Sequence, residues 1–179
     1  FRLSLPAMLM IPLARLEREG SLDIQSDVPT ADPSWEGTEL RFSAPLSVVG
    51  QVQWIPSGDV LARIRLQGFL AQECRRCLEP VLTPVEEELN LLFAPVDETE
   101  DSDQETVRPL PERAGELDLI PAIREELVLS QSPLALCKTE CMGLCPQCGT
   151  NLNESSCQCS TQEADPRWDT LRALNQERD

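Results

Sequence analysis

The sequence contains no histidine and no tyrosine, and these absences remove more chemistry than any residue present suggests. Without histidine, neither a Ser-His-Asp nor a Cys-His nucleophile system can be assembled, and no metal centre can use imidazole ligands. Aromatic residues make up only 4% of the chain, so burial has to come from leucine, valine and isoleucine. There is no Gly-rich phosphate loop, no G-x-G-x-x-G pattern and no internal repeat. Paired carboxylates remain available, but Glu86-Glu87-Glu88 reads as a solvated charge run. Together these exclusions make an enzyme the less expected class, and no catalytic residue is assigned.

Bases are scarce as well. Against 31 acids there are 15 lysines and arginines, a net charge of −16, and most of the excess lies between residues 81 and 136. Such a chain has no broad basic footprint for grasping phosphate backbones, and a basic protein partner would be attracted to it. Fifteen prolines cut its 179 residues into short segments, which argues against long helices. One domain, or a domain with a small metal-held appendage, suits this length.

What is present in excess is cysteine. Six of the eight cysteines fall between Cys137 and Cys159, among Lys, Glu, Gln, Asn and Ser rather than among apolar neighbours. Cys145-Pro146-Gln147-Cys148-Gly149 has the form of a zinc knuckle, two thiolates on a tight turn followed by a glycine free to take positive φ. Cys157 and Cys159 return after a loop short enough to close on it cheaply. A second knuckle-like pair, Cys74-Arg75-Arg76-Cys77, stands alone. Two cysteines cannot complete a four-ligand site, and six exceed one by two. The preferred partition joins Cys74, Cys77, Cys137 and Cys141 in one zinc site and Cys145, Cys148, Cys157 and Cys159 in another. An exchange, with Cys141 serving the second site and Cys157 or Cys159 the first, stays open. The even count also suits disulfides, and Cys74 with Cys77 could form a thioredoxin-like pair were they set between strand and helix.

Taken in order, Arg2 and the apolar residues after it resemble a secretory leader, but Pro6 and Pro12 interrupt the run and it is too short to span a bilayer. Residues before Met8 or Met10 read as an upstream extension, and thiols at metal-ligand spacing favour a reducing cytoplasm. Residues 10–18 alternate loosely. Leu22, Ile24 and Val28 share one face of a strand, and Trp35 caps the core edge from a loop. Leu46, Val48, Val52 and Trp54 share a face of the next strand, with a bulge expected at Gly50. A turn at Pro56-Ser57-Gly58-Asp59 leads into Val60, Ala62, Ile64 and Leu66, completing an antiparallel hairpin with Arg63 and Arg65 on its outer face. Cys74 and Cys77 then sit at a hairpin tip, and strand character resumes through Leu89, Leu91 and Phe93. Asp97 to Glu105 reads as a mobile acidic linker. Asp118 caps a helix carrying Ile120, Ile123 and Leu127 on one face, and Trp168 to Leu174 reads as a short last helix. The expected fold is α+β: an antiparallel β-rich body over residues 1–96, a curved sheet or partial barrel, an acidic linker over 97–115, and over 116–179 a packed helix with a Cys-rich zinc-binding segment.

The stretches I-P-L-A-R-L-E-R-E-G-S-L, E-C-R-R-C-L-E-P-V, G-E-L-D-L with its E-E-L helix, C-K-T-E-C-M-G-L-C-P-Q-C-G-T-N-L-N and A-D-P-R-W-D-T-L-R-A-L, in that order, resemble the YceD-type family of bacteria and plastids, the large ribosomal RNA subunit accumulation proteins. The resemblance implies a non-enzymatic factor in large-subunit biogenesis that supports accumulation or processing of the 23S ribosomal RNA precursor. It also implies a pre-large-subunit ribonucleoprotein or a small basic ribosomal protein as partner. The two zinc ions are expected to be structural, and the β-rich face near Arg63, Arg65, Arg75, Arg76 and Lys138 is expected to meet RNA or ribonucleoprotein. Two other readings compete: an acidic chaperone for a basic ribosomal protein, and a thiol oxidoreductase using Cys74 or Cys77.

Overall fold

The structure is a computed structural model and describes residues 9–95, 107–110, 115–132, 134–159 and 167. The acidic run from Asp97 to Glu105, the leader-like residues 1–8 and the expected last helix at Trp168–Leu174 lie outside the described residues.

The centre of the fold is a five-stranded sheet in the order β2 (Ser21–Val28), β3 (Leu46–Trp54), β4 (Val60–Glu73), β5 (Pro80–Pro95), β6 (Val107–Leu110). The first four strands are antiparallel neighbours and β6 lies parallel to β5. The sheet stays open, edged by β2 and β6, so it does not close into a barrel.

Alternation along each strand decides the faces. The cross-strand rows Ile24–Gly50–Ile64–Leu89 and Leu22–Val52–Ala62–Leu91 point inward, and the rows Asp23–Gln51–Arg63–Asn90 and Gln25–Val49–Arg65–Glu88 point outward. The inner face is covered by α1 (Leu13–Glu19), α2 (Ile120–Ser130), the loop carrying Trp35, Leu40 and Phe42, and a ribbon in which β1 (Met10–Pro12) pairs with β7 (Glu116–Asp118). Leu16, Ile123 and Leu127 are fully buried there, and each contributes about 1.5–3 kcal/mol relative to exposure.

Three elements differ from the sequence reading. Residues 13–19 form a helix rather than an alternating strand; Pro12 stands before its first turn, and Gly20, at φ 76°, ends it. β3 carries no bulge, because its pairing with β2 and β4 runs unbroken through Gly50. The glycine is needed for close approach instead: a Cβ there would lie 2.1 Å from the Arg63 carbonyl oxygen. Val107–Leu110, within the stretch assigned to the linker, adds an edge strand, where Pro109 can sit without breaking an internal ladder. Arg108 reaches Glu125 and Glu126 at 3.1 and 2.7 Å and so fastens β6 to α2. α2 begins one residue later than expected, with Leu119 at its N-cap, although the Asp118 carboxylate still accepts the Ile120 N–H at 2.9 Å. Trp35 is buried rather than at an edge, and its Nε1 donates to the Pro29 carbonyl at 3.0 Å.

Candidate metal centres

The β4–β5 turn folds into a knuckle because two backbone bonds close it. The Cys74 N–H donates to the Glu79 carbonyl and the Leu78 N–H to the Cys74 carbonyl, both at 2.8 Å. The segment after α2 repeats this pattern bond for bond: the Cys145 N–H donates to the Thr150 carbonyl at 2.8 Å and the Gly149 N–H to the Cys145 carbonyl at 2.9 Å. The geometry demands a left-handed residue after the second cysteine. Gly149 supplies it at φ 73°, whereas Leu78 adopts φ 62°. A leucine there costs roughly 1–2 kcal/mol. Leu78→Gly is therefore expected to raise stability by about 1 kcal/mol, since the 58% exposed side chain loses little burial, and a chemical unfolding midpoint would record it.

The eight sulfurs gather in two groups of four: Cys74, Cys77, Cys137 and Cys141, and Cys145, Cys148, Cys157 and Cys159. Within each group every sulfur lies within 4.8 Å of the others. This is the preferred partition of the sequence reading, not the exchanged one. The Cys74–Cys141 and Cys77–Cys137 separations are 3.8 and 3.6 Å, far beyond the bonding distance of about 2.05 Å, and all eight cysteines are free. A four-coordinate ion with metal–sulfur bonds of about 2.3 Å would set its ligands about 3.8 Å apart, so the groups have the dimensions and donors to hold metal ions.

Electrostatics point the same way. A hydrogen bond from the Cys137 backbone draws the Cys74 thiol down to about 6, while partial loss of solvation and the neighbouring sulfurs push Cys137 up to about 12. In the second group the Thr150 hydroxyl draws Cys148 down to about 6, and the Cys148 sulfur, followed by partial loss of solvation, pushes Cys159 up to about 12. Four sulfurs at this spacing cannot all ionise unaided. A central cation removes the conflict.

The first group joins body to tail. Cys74 and Cys77 come from the β4–β5 turn, Cys137 and Cys141 from the segment after α2, and backbone bonds run between them: Arg75 N–H to the Ala135 carbonyl and Leu144 N–H to the Arg76 carbonyl, both 3.0 Å. Gly143 permits this approach, since a Cβ there would lie 2.9 Å from the Arg76 oxygen. Asn153, which the cysteine spacing gave no reason to single out, donates to the Cys141 sulfur at 3.3 Å. Val81, Leu136 and Leu144 pack around the group, and Cys74, Cys77 and Cys141 are buried.

Access differs in the second group, where only Cys145 is buried and Cys148 and Cys159 are exposed. A competing chelator is expected to withdraw metal in two phases, the faster from this second group. In Cys148→Ser the fast phase should vanish while the slow one persists, as a colorimetric metal indicator would report.

The arginines and lysine expected to face RNA fall into two places. Arg63 and Arg65 lie on the outer sheet face, where Arg65 pairs with Glu88. Arg75, Arg76 and Lys138 lie at the knuckle end, separated from Arg65 by about 27 Å of strand. Arg76 donates to the Cys141 carbonyl at 2.8 Å, which makes it part of the junction. No helix among the described residues is long and apolar enough to cross a membrane.

No solved structure matches the chain. Among curated proteins, one from Mycobacterium tuberculosis is 39% identical over 171 residues, covering 91% of this chain and 79% of its own length. The chloroplastic "large ribosomal RNA subunit accumulation protein YCED homolog 1" of Zea mays is 33% identical over 129 residues, 54% of this chain and 44% of that protein. Its namesake in Arabidopsis thaliana is 33% identical over 67 residues, 37% of this chain and 21% of that one. The family described as "Large ribosomal RNA subunit accumulation protein YceD" matches residues 62–175, more than half the chain and the span that contains all eight cysteines. The chain therefore belongs to the YceD family.

Proposed function

We propose that this protein is a non-enzymatic factor in biogenesis of the large ribosomal subunit, supporting accumulation or processing of 23S ribosomal RNA in a reducing cytoplasm. Its two groups of cysteines hold structural zinc. The observation that carries the zinc assignment is the closed donor set: each group offers four sulfurs to one centre, whereas a catalytic zinc keeps a position open for water or substrate. The ribosomal role rests on family membership and on the names of the plant relatives.

In this reading Cys74, Cys77, Cys137 and Cys141 lock the tail to the sheet, and the second group shapes the tail's far end. Arg63, Arg75 and Lys138 are the cations best placed to meet RNA, because Arg65 and Arg76 are engaged within the protein. Depletion should lower 23S ribosomal RNA relative to 16S and shift sucrose-gradient profiles away from complete large subunits. Restoration by the wild-type gene, but not by Cys74→Ser, would support the reading. Normal 23S levels in depleted cells would refute it.

A second reading, an acidic escort for a basic ribosomal protein, is favoured by the net charge of −16 and by the outward-facing Glu86 and Glu88. Direct RNA binding should weaken steeply with added salt and survive without protein partners.

A further inference from the structure

β3 ends its pairing with β4 at Ser47 opposite Gln67, and the β4–β5 pair continues beyond it as an arm to the first knuckle. Along the outer face of β4–β5 the side chains change character at this point. Rows of Arg, Asn, Gln and Glu give way to Phe69 opposite Pro84 and Ala71 opposite Leu82. Phe69 is 50% exposed and Leu82 61% exposed, and their diagonal placement across the pair brings them within reach of each other. The inner side of the same arm is covered, with Leu70 and Val85 buried, so the outer apolar patch is not left over from an unfinished core. In a chain with only four phenylalanines and three tryptophans, Phe42, Phe93 and Trp35 go to the core. Here Phe69 and Leu82 lie together in one exposed apolar patch, and contiguous patches of this kind mark interaction sites.

We propose that Phe69, Ala71, Leu82 and Pro84 form a docking surface for a basic amphipathic protein segment, one presenting aliphatic side chains between lysines and arginines. The charges around the patch select that occupant. Glu86 sits beside Phe69 and Pro84 in the next cross-strand pair, Glu73 lies towards the knuckle, and Arg65 beyond Glu86 is paired with Glu88. Arg75 and Arg76 oppose these acids, but a loaded first metal group adds a formal charge of about −2 beside them. Over the patch itself these acids disfavour a phosphate backbone, and any RNA contact through Arg63, Arg75 or Lys138 lies beside the patch rather than on it. A second copy of the chain, itself at −16, is repelled as well. The surface deepens the ribosomal reading by naming the partner class, and for that class it rests on the escort form of that reading.

The test uses the full metal-loaded chain and a fluorescent peptide of Lys-Leu-Arg-Gln repeats, with a control of equal charge in which Ser replaces Leu. The apolar peptide is expected to bind about tenfold more tightly than the control. The double variant Phe69→Ser with Leu82→Ser should erase that difference while keeping both metal equivalents. Glu86→Gln, which leaves the apolar residues intact, should weaken both peptides and keeps the proposal testable if the double variant folds poorly. Equal binding of the two peptides by the wild type, or an unchanged difference in the double variant, overturns the surface. Poly(U) competing with the peptide, and losing its own hold on the double variant, would give the patch to nucleic acid. A dimer in sedimentation that the double variant abolishes would give it to a second copy. Normal 23S levels after depletion would remove the ribosomal reading without touching peptide binding, so the two failures are distinguishable.

Discussion

Cys74→Ser is expected to lower bound metal from two equivalents to one and to release the tail from the sheet. Cys74 is fully buried, 3.8 Å from Cys141, in a group whose members come from both halves of the molecule. Structural zinc in small sites contributes roughly 10–16 kcal/mol of apparent binding free energy, and that energy is folding energy for whatever the ion fastens. An ion held by the first group would fasten the segment from Leu134 onward, which among the described residues touches the body through few backbone bonds and only a small apolar cluster of its own. The main core contains no cysteine, so the sheet should keep its cooperative thermal transition while residues 134–141 become sensitive to protease. Metal analysis together with limited proteolysis would show both effects. Two equivalents retained in the purified variant would mean that the first group does not bind as a unit.

The second large effect belongs to Gly50→Ala. The added methyl carbon would lie 2.1 Å from the Arg63 oxygen and 2.8 Å from the Ile64 Cα, both backbone atoms of the neighbouring strand β4. No side chain can rotate away to relieve that overlap, so β3 and β4 must separate locally. Overpacking of this kind costs typically about 1–3 kcal/mol, and a backbone collision falls at the upper end, a large part of the roughly 5–15 kcal/mol by which domains are stable. Urea denaturation should show a strongly lowered midpoint or no folded protein. Gly115→Ala, where nothing lies within 4 Å of the new carbon, is the matched control and should change little.

Gly50 also marks the boundary of what the sequence discloses. Alternation placed Ile24, Val48, Val52, Ala62, Ile64 and Leu91 on one face, because a two-residue period is local and a buried face enforces it. A glycine within a strand, by contrast, signals only that something is unusual. Whether it is a bulge or a near collision depends on Arg63, which the chain brings alongside through the hairpin. α1 was hidden for a different reason: seven residues are two turns, too few for a helical period to stand out, although Pro12 and Gly20 mark its ends. β6 was hidden because its partner β5 lies across the acidic stretch, and parallel pairing leaves no turn signature. The sulfur groups were more legible, since two knuckles of like spacing need two further pairs and closure of short loops restricts which pairs can serve. Asn153, Thr150 and the turn of Arg76 towards Cys141 were not, because such contacts follow from the tail's path over the knuckle.

The first sulfur group also imposes an order of events on a chain made from one end. Cys77 precedes Cys137 by 60 positions and Cys74 precedes Cys141 by 67. At about 5–20 residues per second, the leading dithiol emerges some 3–12 s before its counterparts. The hairpin beneath it can fold in the meantime, leaving two unshielded thiols at its tip. During that interval oxidant and stray metal ions compete for them, and the surroundings in those seconds decide whether the finished molecule can be completed.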